Sequence, residues 1–206
     1  MKGEAIVVTG TPGTGKTSLC EHIAKRNKGW IHLDLGRFAV KTNSVVEYDR
    51  SLKTNIIDTG VLKKVLYKYV SINVEKGVKL LIDGHYAAEV SPSKYVNCCI
   101  VLRCRPDILW LRLKNTRRYV EEKARMNVES ELTDYCYLMA KNFLGNRRIM
   151  QLDTTRRSVE RVYARFMEYY NNRTMCEGDN VDWVGFLLKH PERMRFLFYE
   201  DLLRKR

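Results

Sequence analysis

Nowhere does the sequence hold an apolar run near the ~20 residues that a bilayer-crossing helix requires. Its start, MKGEAIVV, also lacks the basic-then-apolar order of a secretory leader. A cytoplasmic location with no membrane partner is the expectation. No CxxC pair occurs among the six cysteines (20, 98, 99, 104, 136 and 176), and Cys98 and Cys99 are neighbours inside an apolar run. That spacing argues against both a zinc knuckle and a disulfide framework, so the cysteines read as reduced, buried, small hydrophobes. Internal repeats and low-complexity tracts are missing too. Acidic residues fall short of basic ones and leave a net charge of +13. The excess is spread through both halves, which favours polyanionic company such as nucleotides or RNA, the plain alternative being a solvated basic surface.

What is present is an alternation of strand and helix signals. Ala5 to Thr9, Trp30 to Asp34, Lys79 to Asp83, Asn97 to Arg103 and Arg148 to Asp153 read as strands. Four of these are short apolar runs without clean alternation, as expected of strands covered on both faces. Helical patterns lie between them at Lys16 to Lys25, Thr59 to Glu75, Pro106 to Leu113, Glu121 to Met139 and Ser158 to Tyr170. Such an order predicts an α/β domain in three layers, a doubly wound sheet of five parallel strands with crossover helices. The domain is expected to span residues 1–172. After it, NNRTMCEGDN reads as a linker, and an extension over 173–206 carries apolar residues for one or two helices that pack on the core or serve a partner.

Gly10-Thr11-Pro12-Gly13-Thr14-Gly15-Lys16-Thr17 follows the first strand and opens the first helix. It matches GxxxxGK[ST], a pattern that composition alone would produce on the order of one time in a hundred in a chain this long. In that setting backbone N–H groups converge on phosphate oxygens, Lys16 reaches the β- and γ-phosphates, and the Thr17 hydroxyl ligates Mg²⁺. ATP with Mg²⁺ is the expected cofactor. A second metal anchor belongs at the end of a neighbouring strand, where Leu80-Leu81-Ile82-Asp83 supplies Asp83; a turn cap is the other use of such an aspartate. The run RLKNTRRYVEEKARMN (112–127) carries six basic residues on a short helix-loop-helix. It reads either as a closing segment that neutralises a transferring phosphoryl group or as a solvated charged face.

Taken in order, TGTPGTGKTSLC, LGRFA (35–39), YDRSLKTNIID (48–58), LLIDGHY (80–86), VLR (101–103), RLKNTRRY with EEKARMNVESEL, and DTTRRSVE (153–160) resemble the adenylate kinase isoenzyme 6 family. These are small P-loop nucleoside monophosphate kinases linked to maturation of the small ribosomal subunit, with archaeal members of the same type. The resemblance covers about residues 4–170. It implies an ATP site at Gly13, Thr14, Gly15, Lys16, Thr17 and Ser18, and the acidic residue near Mg²⁺ at Asp83. His85 corresponds to the histidine of the family's D-x-H motif, although a histidine after a strand end also serves to hold a turn. Arg117 corresponds to a lid arginine meeting ATP, within a lid at about 116–126, and Arg156 to the basic residue of the loop near the adenine. A monophosphate-binding segment is implied at about 35–58, with Gly36, Arg37, Lys41 and Asp58 as its contacts.

Three departures stand out. Val40 occupies a position where the family often has an arginine, which shifts the acceptor phosphate to Arg37 or Lys41. Met126 replaces a glutamate before Asn127. Arg118 replaces a glycine before Tyr119, with one extra residue in the lid. The resemblance implies a kinase making two ADP from ATP and AMP or a related monophosphate, with ATPase activity and a role in small-subunit maturation through a ribosomal protein and rRNA. The alternative it leaves open is an ATP-switched assembly factor with little kinase activity. His22, His32 and His190 receive no role.

Overall fold

The computed structural model describes residues 3–145, 148–172 and 178–194. In chain order it runs β1 (Glu4–Thr9), α1 (Lys16–Arg26), β2 (Trp30–Asp34), α2 (Leu35–Lys41), β3 (Val45–Asp49), β4 (Thr54–Ile57), α3 (Thr59–Glu75), β5 (Lys79–Asp83) and a short α4 (Ala87–Val90). Then come β6 (Val96–Arg103), α5 (Pro106–Leu111), α6 (Glu121–Leu132), α7 (Tyr135–Leu144), β7 (Arg148–Asp153), α8 (Val159–Asn171) and α9 (Trp183–Lys189).

Five strands make one parallel sheet in the order β2-β5-β1-β6-β7. Its centre, β1, is an uninterrupted apolar run because both faces are covered. Ile6 and Val8 pack toward α1 and α8 with Leu19, Ile23, Val162 and Phe166, while Ala5 and Val7 pack toward α3, α4 and α7 with Leu62, Leu66, Ala88 and Ala140. The same alternation separates Cys98 from Cys99, which enter opposite cores. All five cysteines among the described residues are buried and outside any disulfide, in line with the sequence reading; Cys176 lies outside the described residues. No described helix is long and apolar enough to cross a membrane.

Local chemistry sets most element ends. Asp34, Asp58, Ser158 and Asp182 each accept a hydrogen bond from a first-turn amide and start α2, α3, α8 and α9. Pro106 opens α5, where its missing N–H costs nothing.

The single helix expected over 121–139 is two. It breaks at Asp134, which adopts a left-handed φ of 54°. The cause is Arg103, whose guanidinium draws a carbonyl of the last turn of α6, Glu131 O, at 3.0 Å and the Asp134 carboxylate to the tip of β6. Thr133 and Asp134 are weak helix formers, so the break is inexpensive. The helix expected over 106–113 also changes character, since Arg112–Thr116 form a π-type turn. The two-stranded antiparallel hairpin β3–β4 and helix α2 build the segment 35–58.

Near the end of the expected linker, Asp179 donates its N–H to Gln151 O at 2.9 Å and its carboxylate accepts from Asp153 N at 2.8 Å, so the chain returns along β7 before α9. There Leu187 packs on a cluster with Leu109, Leu113 and Val128. The part of the extension expected beyond residue 194, including Arg195, Arg204, Lys205 and Arg206, lies outside the described residues.

Candidate active site

At the carboxyl end of β1 the chain turns through the loop 10–15. Gly10 takes a φ of 137°, and a Cβ there would stand 2.3 Å from Leu102 O, so no other residue fits. Gly15, at φ 96°, starts α1 with no side-chain cap. The starts of α2, α3, α8 and α9 carry a carboxylate or hydroxyl on a first-turn amide; at α1 no side chain takes that place, which leaves the positive end of the helix dipole for an anion. Lys16 Nζ donates to two loop carbonyls, Gly10 O at 2.8 Å and Thr11 O at 3.2 Å. Burial lowers its pKa, the Asp83 carboxylate opposes that shift, and the Arg117 cation adds to it.

Thr17 stands over the tip of β5, where its hydroxyl donates to Asp83 Oδ2 at 2.8 Å. Asp34 lies beside Asp83 in register at the tip of β2. Two hard oxygens of this kind suit Mg²⁺: in an octahedral shell with bonds of about 2.0–2.1 Å, adjacent oxygens stand about 2.9 Å apart. Thr17 and Asp83 are therefore already spaced as neighbouring ligands. His32, to which sequence reasoning assigns no role, also meets Asp83, with Nε2 3.2 Å from Oδ2. The signal was in the strand pairing. In a parallel β2–β5 register Asp34 falls opposite Asp83, and His32, one pleat back, shares its face.

The loop separates two hollows. One, of about 430 Å³, is lined by Lys16, Thr17, Asp34, Gly36, Asp83, His85 and Arg117, with Tyr119, Lys123, Met126 and Asn127 from the far wall. The other, of about 350 Å³, is lined by Gly13, Thr14, Gly15, Ser18, Arg112, Thr154, Arg157 and Val162. The π-type turn aims Arg112 across this second hollow, where it donates to Gly13 O at 3.4 Å and to Thr154 O at 2.8 Å. Arg156 is exposed at a left-handed φ of 51°. Its neighbour Arg157 lines this hollow.

His85 sits at the first hollow, its ring edge-on to Tyr86 at 4.6 Å. Protein crowds the ring, and Lys16 and Lys123 add positive charge, so its pKa falls from 6.5 to about 4 although the residue keeps an open face to solvent. It is neutral at physiological pH. Arg117 is exposed at the rim, 3.4 Å from the Tyr119 hydroxyl. Lys123, from the first turn of α6, donates to Leu52 O at 2.8 Å and Lys53 O at 3.2 Å, joining the 116–126 segment to the β3–β4 turn. Of the contacts expected in 35–58, Gly36 lines the hollow. Arg37 extends into solvent, its side chain 80% exposed with Nε 3.7 Å from Asp34, and Lys41 is exposed in the last turn of α2. The Asp58 carboxylate is engaged by Val61 N at 2.9 Å as a helix cap.

A further residue with no sequence signal underlies the loop. Glu131 is 1% exposed. Its carboxylate accepts from Thr11 Oγ1 at 2.6 Å, Arg103 Nε at 2.7 Å, Cys104 N at 3.1 Å and Trp183 Nε1 at 2.9 Å. The phosphate loop, the end of β6 and α9 thus share one buried charge, fully partnered as such a group must be.

A family model described as an AAA domain matches residues 6–134. The chain is 30% identical over 179 residues to a Methanocaldococcus jannaschii protein named "Putative adenylate kinase", covering 87% of this chain and 92% of that protein. It is 30% identical to the Saccharomyces cerevisiae "Adenylate kinase isoenzyme 6 homolog FAP7" over 63% of this chain and 62% of that one. Among solved structures, shikimate kinase from Acinetobacter baumannii in complex with shikimate gives a TM-score of 0.59 at 15% identity, over 84% of this chain and 96% of that one, a likeness of fold alone. With the glycine loop, the strand-tip carboxylate and the sheet order on one scaffold, the chain belongs to the AAA-domain P-loop family and, within it, to the group of the archaeal proteins so named and the adenylate kinase isoenzyme 6 homologues.

Proposed function

We propose that the protein moves the γ-phosphoryl group of ATP onto AMP or a related nucleoside monophosphate, releasing two nucleoside diphosphates. The observation that carries this reading is the placement of Thr17 and Asp83, 2.8 Å apart, beside an uncapped helix start that separates two nucleotide-sized hollows. The ATP base and ribose occupy the Arg112–Arg157 side, and the phosphates cross the loop toward Lys16. The family names of the archaeal relatives point the same way.

Mg²⁺, held through Thr17 and Asp83, supplies charge neutralisation on the phosphates. Lys16 leaves the Gly10 and Thr11 carbonyls for the β- and γ-phosphates, and Arg117 moves in from the rim as the 116–126 segment closes. An oxygen of the monophosphate attacks the γ-phosphorus while the bond to the β-phosphate oxygen breaks, so the acceptor needs no protein base. Neutral His85 then serves as a hydrogen-bonding, orienting group beside the acceptor rather than a cation. Water entering an unclosed site gives a slower ATPase reaction. Initial rates of ADP formation with ATP against a panel of monophosphates, alongside ATP alone, test the assignment.

A second reading is an ATP-switched assembly factor for the small ribosomal subunit, acting in the cytoplasm. The charge of +13, more than one nucleotide needs, favours it. It requires that ATP and ADP change the affinity for a small-subunit protein or rRNA, and by linkage that this component change nucleotide affinity. Pull-downs with ATP, ADP and no nucleotide at moderate salt decide, and identical affinities in all three reject the switch.

A further inference from the structure

Three donor atoms of different chemistry meet beneath the phosphate loop. Cys20 Sγ, His32 Nε2 and a carboxylate oxygen of Asp83 lie within 4.8 Å of one another, and among the described residues no other His, Cys, Asp and Glu side chains converge so closely. They come from separate elements. Cys20 lies one turn along α1 from Lys16, on the helix face that packs on the sheet; His32 is on β2, and Asp83 ends β5. Cys20 is fully enclosed, and the His32 and Asp83 side chains are 14% and 4% exposed. Asp83 lines the hollow that holds Lys16 and Thr17, which gives an ion a way in.

We propose that Cys20, His32 and Asp83 form a second metal site, specific for a borderline-soft divalent ion of the zinc class, that competes with magnesium for Asp83. The donor set carries the argument. Magnesium takes hard oxygens and keeps its waters, whereas thiolate with imidazole and one carboxylate is a zinc set. The spacing fits: around a tetrahedral ion with bonds of about 2.0–2.3 Å, ligand atoms stand about 3.3–3.8 Å apart. His32 Nε2 and Asp83 Oδ2 are already 3.2 Å apart, so a side-chain adjustment of about 1 Å closes the set. Three protein ligands leave the fourth position for water or a phosphate oxygen.

In the metal-free protein burial, with the Asp83 charge next, holds the Cys20 thiol well above its ordinary pKa, so the group is protonated. Binding forms the sulfur–metal bond as the thiol proton leaves for solvent, with no change of oxidation state. Once bound, the ion draws on the carboxylate that accepts from Thr17, and magnesium loses its strand-tip anchor. That consequence rests on the kinase reading; the site itself does not.

Cobalt(II) is the probe, titrated into the full chain without nucleotide. One equivalent is expected to give a thiolate-to-cobalt charge-transfer band with the visible bands of a tetrahedral ion. Cys20→Ala should abolish the charge-transfer band, and both Cys20→Ala and His32→Gln should weaken cobalt and zinc binding at least about tenfold, the least that losing even an outer partner costs. Circular dichroism on each variant confirms folding, and either variant suffices if the other fails to fold. No band at one equivalent, or a band unchanged in both variants, overturns the site. In the transfer assay zinc should inhibit, excess magnesium should relieve it, and Cys20→Ala should shift inhibition to at least about tenfold higher zinc. Inhibition unchanged in a variant that has lost the cobalt band overturns the competition with magnesium while the site stands.

Discussion

The Thr17 hydroxyl and the Asp83 carboxylate, on different elements and far apart in sequence, are already at the 2.8 Å spacing of neighbouring magnesium ligands. The parallel β1–β5 pairing sets that distance, since it places Asp83 beside Val8 at the mouth of the loop. Asp83→Asn keeps the shape of the side chain and removes its charge. The variant is expected to need a higher magnesium concentration for half-maximal rate and to lose on the order of 10²-fold in kcat at saturating nucleotide. A magnesium titration of initial rates checks both, and an unchanged curve would remove Asp83 from the metal site.

Lys16→Ala should leave the circular dichroism spectrum intact and lower the transfer rate by about 10²–10³-fold, because the ammonium stabilises charge that develops only in transfer. Of the two carbonyls that it now contacts, Thr11 O keeps Thr14 Oγ1 at 2.8 Å and Thr14 N at 3.2 Å as donors, so the loop keeps its own hydrogen bonds when the ammonium is lost. Wild-type turnover in this variant would end the loop assignment.

Arg117 is exposed at the rim, its guanidinium 3.4 Å from the Tyr119 hydroxyl. Arg117→Ala should therefore reduce kcat more than it reduces ATP affinity, as expected for a group that acts once the segment closes. Single-turnover rates beside equilibrium ATP binding give the ratio. An affinity loss with kcat untouched would make this side chain a static contact.

The five strands of the parallel sheet and the loop were legible because they depend on local signals: apolar runs covered on both faces, and a glycine pattern set between strand and helix. Trp30 to Asp34 and Lys79 to Asp83 read in sequence as the strands they form. The roles that needed tertiary pairing were not legible. His32 meets Asp83 through strand register, and Glu131 gathers Thr11, the neighbours Arg103 and Cys104, and Trp183 from three places in the chain. Backbone conformation, which the sequence does not show, places the carried-over positions: Arg156 is exposed at a left-handed φ while Arg157 lines the hollow beside Gly13 and Thr14, Lys41 is exposed in the last turn of α2, and Asp58 caps α3.

Glu131 gives a stability prediction. Trp183→Phe removes one donor to a carboxylate that keeps three others, and should cost about 1–2 kcal/mol. Glu131→Gln leaves buried Arg103 with only the half-exposed Asp134 as a carboxylate partner and should cost about 3 kcal/mol. Urea unfolding of both variants measures the order, and equal losses would contradict the central place given to Glu131.

Acid sensitivity follows from His85. Its pKa of about 4 lies below the 6.5 of an unfolded histidine, so the unfolded chain takes up this proton first. Stability contributed by this group is present above pH 6.5, declines as pH falls toward 4, and levels off below. The ring's open face screens part of the effect, so its direction is the test. His85→Asn should flatten the decline between those limits relative to wild type, and an unchanged slope in urea midpoints would place the proton uptake elsewhere.

The destination of the γ-phosphoryl group is the central claim. ATP labelled at the γ-phosphate, incubated with the protein, Mg²⁺ and AMP or another monophosphate, should pass its label into the diphosphate made from that acceptor, faster than label appears as inorganic phosphate with ATP alone. Label found only in inorganic phosphate, at a rate no monophosphate alters, would contradict the kinase assignment.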